Sequence, residues 1–257
     1  MPKVMTVVSR KSVCKFLLDL VYGNFCPCCK KAIGWNQLVC SDCKDELENL
    51  RKETCNICGH IVCKNHEEIN YDNAVTVFLY DGICRDTIYK LKNNSEYNFA
   101  EYSADLLSEK IRENHFDKEI DLITAVPMYH KKKGERGYNQ AEIIAKFLSR
   151  QLNILHNFHL LARTSDKSEQ HKLNANQRKE HAEKIYKARK HHADISGKTI
   201  LLVDDVLTSG STMNKCSSLL KKMGAKKVIC TAIAVSDLKI LEKNEENKEY
   251  FTANVEN

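Results

Sequence analysis

The spacing of apolar residues changes period several times along the chain, and each change predicts an element. Ala74 to Tyr80 (AVTVFLY) is β-branched and aromatic and predicts a strand. Helices are expected over 85–92 and 99–111, where residues such as Leu106, Leu107 and Ile111 fall at helical spacing. Asp121 to Val126 (DLITAV) reads as a short buried strand stopped by Pro127, the basic KKKGERGYN that follows reads as a loop, and Gln140 to Leu152 reads as a helix apolar at Ile143, Ile144, Phe147 and Leu148. Thr199 to Val203 predicts another strand, Ser211 to Met223 a helix with Gly224 as its C-terminal cap, and Val228 to Val235 a last strand. Strands alternating with helices imply an α/β fold, a mainly parallel sheet with helices on both faces.

The two ends of the chain follow other patterns. Val13, Phe16, Leu17, Leu18, Leu20 and Val21 suit a short amphipathic helix packed on the protein itself. Lys3, Arg10, Lys11 and Lys15 interrupt that stretch, so neither an export signal nor a transmembrane segment is expected, which implies a cytoplasmic protein, at most peripheral at the inner face of the membrane. Beyond Asp237 the run EKNEENKEY reads as a solvated extension. The expected organisation is an amphipathic helix and cysteine module over 1–70, a principal domain over 71–236 and a charged tail over 237–257.

Composition excludes classes more than it selects one. With 42% hydrophobic and 29% charged residues the chain is neither disordered throughout nor fibrous. The net charge of +6 is uneven, with cations concentrated between Arg163 and Lys198, a segment that would attract an anion.

Twelve cysteines without a leader, most of them before residue 64, point to metal rather than disulfides. Cys26-x-x-Cys29 and Cys40-x-x-Cys43 make one set with zinc spacing, and Cys55, Cys58, Cys63 and His66 make a second, so one or two structural zinc ions are expected. His60 competes with His66 in the second set, and Cys28 with Cys29 in the first. Basic and acidic residues nearly balance in this module, so stapling or protein contact suits it better than nucleic-acid binding.

The most informative string is Ile200 to Thr212, ILLVDDVLTSGST. Here the strand Ile200 to Val203 would deliver Asp204 and Asp205 to the C-terminal edge of the sheet, the place where open α/β sheets bind ligands. The small residues that follow would turn into a helix, presenting unpaired N–H groups, hydroxyls and the positive end of the helix dipole to an anion. Taken alone, the same residues also suit an ordinary N-cap.

The longer pattern resembles the phosphoribosyl pyrophosphate (PRPP) motif of type I phosphoribosyltransferases. That resemblance implies that Asp204 and Asp205 are the catalytic pair and engage the ribose hydroxyls, and that Thr208, Ser209, Gly210, Ser211 and Thr212 hold the 5′-phosphate. A second stretch, AVPMYHKKKGERGYNQAEIIA, resembles the signature of ComF-type proteins, and implies that Lys131, Lys132, Lys133 and Arg136 cradle pyrophosphate. LARTSDKSEQHKLNANQRKEHAEKIY is similar to the family's hood at Arg163, Gln170, Leu173, Arg178 and Tyr186, but departs from it at His181 and Ile185. ComF-type proteins commonly carry a cysteine module ahead of the transferase-like domain.

The resemblance therefore implies a type I phosphoribosyltransferase-like fold with a small N-terminal zinc-binding module. It also implies a PRPP-binding protein of natural competence that handles single-stranded DNA during DNA uptake, with Mg2+ accompanying PRPP and competence helicase or DNA-uptake channel proteins as partners. Single-stranded DNA would lie on the basic loop and hood. The alternative is an active phosphoribosyltransferase of nucleotide salvage or synthesis.

Overall fold

The computed structural model describes residues 23–61, 63, 66, 69–94, 96–164, 185–190 and 193–236. The expected N-terminal amphipathic helix, the charged tail and hood residues Gln170, Leu173, Arg178 and His181 lie outside the described residues. The elements run α1 (Ser41–Glu48), β1 (Asn73–Leu79), α2 (Gly82–Asn94), α3 (Tyr97–Glu113), β2 (Leu122–Ala125), α4 (His130–Arg136), α5 (Gln140–Leu152), β3 (Leu161–Arg163), β4 (Tyr186–Ala188), β5 (Thr199–Leu207), α6 (Ser211–Lys222) and β6 (Lys227–Val235). No helix among the described residues is long and apolar enough to cross a membrane.

Four strands form an all-parallel sheet in the order β1-β6-β5-β2, while β3 and β4 pair as a separate antiparallel ribbon. β5 and β6 are buried almost throughout, as central strands covered on both faces must be. One apolar layer joins α2, α3 and α5 to one face through Ile88, Leu91, Phe99, Leu107, Ile144 and Leu148. The other joins α6 and the β3–β4 ribbon to the opposite face through Leu161, Tyr186, Met213, Cys216 and Leu220.

Two sequence expectations change here. The basic stretch after Pro127 is a short helix, α4, rather than a loop; it stops at Gly137, which adopts the left-handed conformation at φ 82°. The strand expected to end at Val203 continues to Leu207, because Asp204, Val206 and Leu207 stay in register with Ala232, Ala234 and Val235 of β6. β2 keeps pace with β5 only as far as Ala125 opposite Val203. Pro127 has no N–H to continue the ladder. β5 therefore overhangs β2, and the overhang leaves a notch in the sheet at the two aspartates.

The cysteine module is built into this domain. Cys26, Cys28, Cys40, Cys43 and Leu47 belong to the same apolar layer as Phe78, Ile88 and Leu91. The segment after α1 then runs antiparallel along the outer side of β1: Leu79 N donates to Leu50 O at 2.7 Å, Arg51 bridges Phe78, and Ala74 N donates to Asn56 O at 3.0 Å. An edge strand that would otherwise present unpaired backbone groups is thus covered.

Shared packing predicts shared unfolding. Leu47→Ala opens a cavity in the common layer and should destabilise the protein by about 2 to 5 kcal/mol. Trp35, the single tryptophan, reports on the module by fluorescence, and far-ultraviolet circular dichroism reports on the whole chain. Urea unfolding should give coincident transitions by both probes, both shifted in the variant. Separate transitions, only the fluorescence one shifted, would show that the module folds by itself.

Candidate functional site

Three consecutive residues after α4 assemble the notch at the overhang. Tyr138 Oη donates to Leu91 O at 2.5 Å and holds the end of α2 close. Asn139 caps α5, its Oδ1 accepting from Ala141 N at 3.1 Å, while its Nδ2 donates to Val126 O at 3.0 Å and ties the helix to the end of β2. Gln140 Nε2 then donates to Asp205 Oδ2 at 2.9 Å. With α2 drawn in, Lys92 reaches the same oxygen at 2.9 Å.

The result is an open cleft of about 340 Å³, lined by Lys92, Lys132, Asn139 and Gln140, by Arg163 and Tyr186 on the ribbon side, and by Asp204, Asp205 and Thr212 at its floor. Tyr186 is held by the Thr212 side chain and sits under the Arg163 guanidinium, 5.5 Å from the ring centre. Its phenol is pushed up to about 12, chiefly by burial.

The two aspartates are not alike. Asp205, only 6% exposed, faces a cation and an amide donor. Burial works against the Lys92 ammonium, but the Asp205 carboxylate more than offsets it and holds the lysine above its ordinary value. Asp204 Oδ1 accepts only the neighbouring Asp205 N–H, at 2.9 Å, among its hydrogen bonds within the described residues. Burial first, and the charge of Asp205 second, push its carboxyl up to about 8. A ligand bringing a cation or hydroxyl donors would favour the carboxylate form of Asp204, so the cleft is poised for such a ligand.

The cations expected to act together are divided. Lys132 lines the cleft. Lys133 is instead bound to both oxygens of Glu142, at 2.7 and 2.8 Å, and Arg136 donates to Gln140 at 3.0 Å, so both serve the frame around the cleft. Lys131 is exposed and does not line the cleft. Thr208, Ser209, Gly210 and Ser211 form the turn from β5 into α6, with Gly210 at φ 75° as the N-cap; of the five turn residues only Thr212 lines the cleft wall. Ser209 and Ser211 hydroxyls lie 2.7 Å apart and exposed at the tip of this turn.

Both cysteine sets come together. In each, the four candidate ligand atoms lie within 4.8 Å of one another. Cys29 and Cys40 sulfurs are 3.7 Å apart, Cys58 and Cys63 sulfurs 3.5 Å, and Cys55 Sγ lies 3.6 Å from His66 Nε2. A tetrahedral zinc with bonds near 2.3 Å spaces its sulfurs by about 3.8 Å, so the donors fit the ion in both number and spacing. Cys26 and Cys55 have thiols lowered to about 7; burial opposes this, but backbone N–H donors in each knuckle outweigh it. The rival ligands are accounted for elsewhere. Cys28 is buried and pushed up to about 12, and His60 points away toward Thr208.

Known proteins match this architecture in both halves. Residues 17–86 match the double zinc ribbon domain, and residues 138–257 match the phosphoribosyl transferase domain. Competence protein F of Haemophilus influenzae is 28% identical over 218 residues, 84% of this chain and 92% of that protein. DNA utilization protein YhgH of Escherichia coli is 25% identical over 225 residues, covering 86% and 95%, and competence protein ComFC of Bacillus subtilis is 23% identical over 202 residues, covering 74% and 80%. Over most of its length the chain is similar to the competence F and ComFC proteins. Its fold is the type I phosphoribosyltransferase fold with an N-terminal double zinc ribbon, and its aspartate pair stands on β5 at the C-terminal edge of the sheet.

Lys92 escaped sequence reasoning. In YKLKNN it looks like any lysine in the last turn of a helix. Gln140 was visible only as part of the RGYNQA string, which carries no hint of its partner.

A raised carboxyl has a definite consequence for stability. Because the folded value of Asp204, about 8, exceeds the ordinary 3.8, the folded protein binds more protons than the unfolded one across that interval, and this group's contribution to stability falls as pH rises through it. Asp204→Asn removes a charge from this half-buried position. Its melting temperature should exceed that of the wild type by a few degrees at about pH 8, and the gap should shrink toward zero as the pH falls to about 4. Differential scanning calorimetry across that range checks this, and a constant gap would show that Asp204 ionises in the folded protein without penalty.

Proposed function

We propose that this ComF-like protein binds PRPP in the cleft at the end of β5 and uses it in handling single-stranded DNA during DNA uptake. The observation that carries the reading is the pairing of Asp204, whose carboxyl is held up to about 8, with a lysine-bound Asp205 at the mouth of a small-residue turn. A ribose with adjacent hydroxyls, one phosphate and one pyrophosphate supplies what each part of such a cleft prefers. Asp204 and Asp205 accept from the hydroxyls, the turn Thr208 to Thr212 takes the 5′-phosphate on backbone N–H groups, and Lys132 lies on the pyrophosphate side. Mg2+ entering with PRPP would offset the diphosphate charge, and the carboxylate of Asp204 is the group in the cleft whose ionisation a cation favours.

The DNA half of the reading draws on the names of the relatives, which are competence and DNA utilization proteins. For the same reason a salvage phosphoribosyltransferase is the less supported alternative. Single-stranded DNA would lie on the basic side of the cleft, where Lys132 and Arg163 line the wall and Lys131 is exposed on the same short helix as Lys132. Competence helicase or channel proteins are the partners such a role requires.

Titration calorimetry with PRPP and Mg2+ tests the cleft. Asp204→Asn and Asp205→Asn should each lower affinity roughly ten- to a hundredfold, since a charge-assisted hydrogen bond is typically worth about 1.5 to 3 kcal/mol. Equal affinity for the double variant and the wild type would refute the assignment. Changing Lys131, Lys132 and Lys133 together to Glu should abolish binding of a labelled oligonucleotide and its salt dependence. Binding that persists would move the DNA surface elsewhere.

A further inference from the structure

The second zinc knuckle lies directly beneath the turn after β5. His60, 8% exposed, places Nε2 2.8 Å from the carbonyl oxygen of Thr208, so the ring donates its N–H to that carbonyl. The backbone of His60 is set by the knuckle itself: Cys55 N donates to His60 O at 3.0 Å, and Gly59 N to Cys55 O at 2.7 Å. Gly59 has φ +74°, and a Cβ there would stand 2.7 Å from Leu207 Cδ2 and 2.9 Å from Ala74 Cβ. A side chain would force knuckle and strand apart. Tyr71 Oη donates to Cys58 O at 3.1 Å, and a Cβ on Gly210 would meet that same phenol oxygen at 3.3 Å and His60 Cε1 at 3.6 Å. One knuckle therefore touches Leu207, Thr208 and Gly210 in turn.

We infer that the second knuckle is the mount of the phosphate turn, that His60 is a positioning residue fixing the Thr208 peptide, and that metal occupancy of Cys55, Cys58, Cys63 and His66 sets the affinity of the turn for a phosphate monoester. The inference rests on the reading of 208–212 as a phosphate cradle. The physical argument concerns the direction of one peptide. A turn binds an anion through N–H groups, and a carbonyl rotated into the same space would repel it. His60 captures the Thr208 carbonyl from below, which holds that oxygen away from the ligand side while Gly210, at φ +75°, lets the chain turn into α6. Without the donor the carbonyl is free to rotate. Without the metal, the short loop between Cys55 and Cys63 that carries the donor keeps only a few hydrogen bonds, such as those from Tyr71 to Cys58 O and from Thr76 to Gly59 O, since a knuckle of this size has almost no core of its own.

The test uses the full chain and ribose 5-phosphate, which engages the turn without needing pyrophosphate or Mg2+. Zinc content and calorimetric affinity are measured for the wild type and for His60→Phe, His60→Gln and His66→Ala. His60→Phe keeps a ring but removes the donor; it should retain both metals and bind about tenfold more weakly, the loss of one hydrogen bond's worth of preorganisation. His60→Gln restores an N–H donor and should recover most of the affinity. His66→Ala should lose one zinc and weaken binding at least as much as His60→Phe. Wild-type affinity in His60→Phe with both zincs present would overturn the inference, as would failure of Gln to rescue, or full affinity in a His66→Ala protein holding one zinc. If the wild type itself does not bind ribose 5-phosphate, the cradle reading fails first; binding by the wild type with no response in the variants defeats the mount alone.

Discussion

The site depends on a mismatch in strand length. β5 pairs with β6 over its whole length and with β2 over less than half of it. A strand fully paired on both sides and covered by helices on both faces would bury its carboxylates with no room for a ligand. A strand that ended at Val203 would leave them in water, with ordinary ionisation and little directional power. The overhang gives a third arrangement, in which β6 keeps the backbone of residues 204–207 straight and Pro127 turns the other neighbour away. α2, α4 and the start of α5 then close around the gap, and Lys92 and Gln140 are both aimed at Asp205, a side chain held by that strand.

Within the cleft, electrostatics separates two chemically identical residues. Asp205 has Lys92 and Gln140, and its charge is neutralised at close range. Asp204 shares that environment without a cation of its own and carries the cost of burial. Functional sites commonly hold groups that the folded protein would be more stable without, and the free energy released when a ligand removes the conflict adds to binding. The division among the lysines follows the same logic. Lys133 and Arg136 serve structure, through Glu142 and Gln140, and Lys132 lines the cleft.

The zinc ribbon is interleaved with the transferase fold rather than attached to its end. Its first knuckle enters the apolar layer under α2 and α3, the segment after α1 covers the edge of β1, and its second knuckle supports the turn at the end of β5. A small metal-bound unit suits this work because metal bonds rather than burial fix its shape, so it can place backbone groups rigidly in a space too shallow for a helix.

The sequence by itself did not show the β3–β4 ribbon or the short helices α1 and α4. It did determine the order of the four sheet strands and of the longer helices between them, the parallel sheet, the paired metal sets and the acid-then-small-residue string. Each of these is a local pattern: periodicity within a strand such as Val75 to Leu79, the x-x spacing of the cysteines, or adjacent residues such as Asp204 and Asp205. Local patterns survive because they reflect backbone geometry over a few residues. The structure alone decided which neighbours meet. That β5 outruns β2, that Lys92 pairs with Asp205, that Lys133 is committed to Glu142 and that His60 serves the Thr208 carbonyl instead of a metal all join residues distant in sequence or choose between equivalent candidates. His60 and His66 are equally good zinc ligands on paper, and so are Cys28 and Cys29. The choice rests on which atom the folded backbone points inward, and that direction is set only when knuckle, strand and turn pack together.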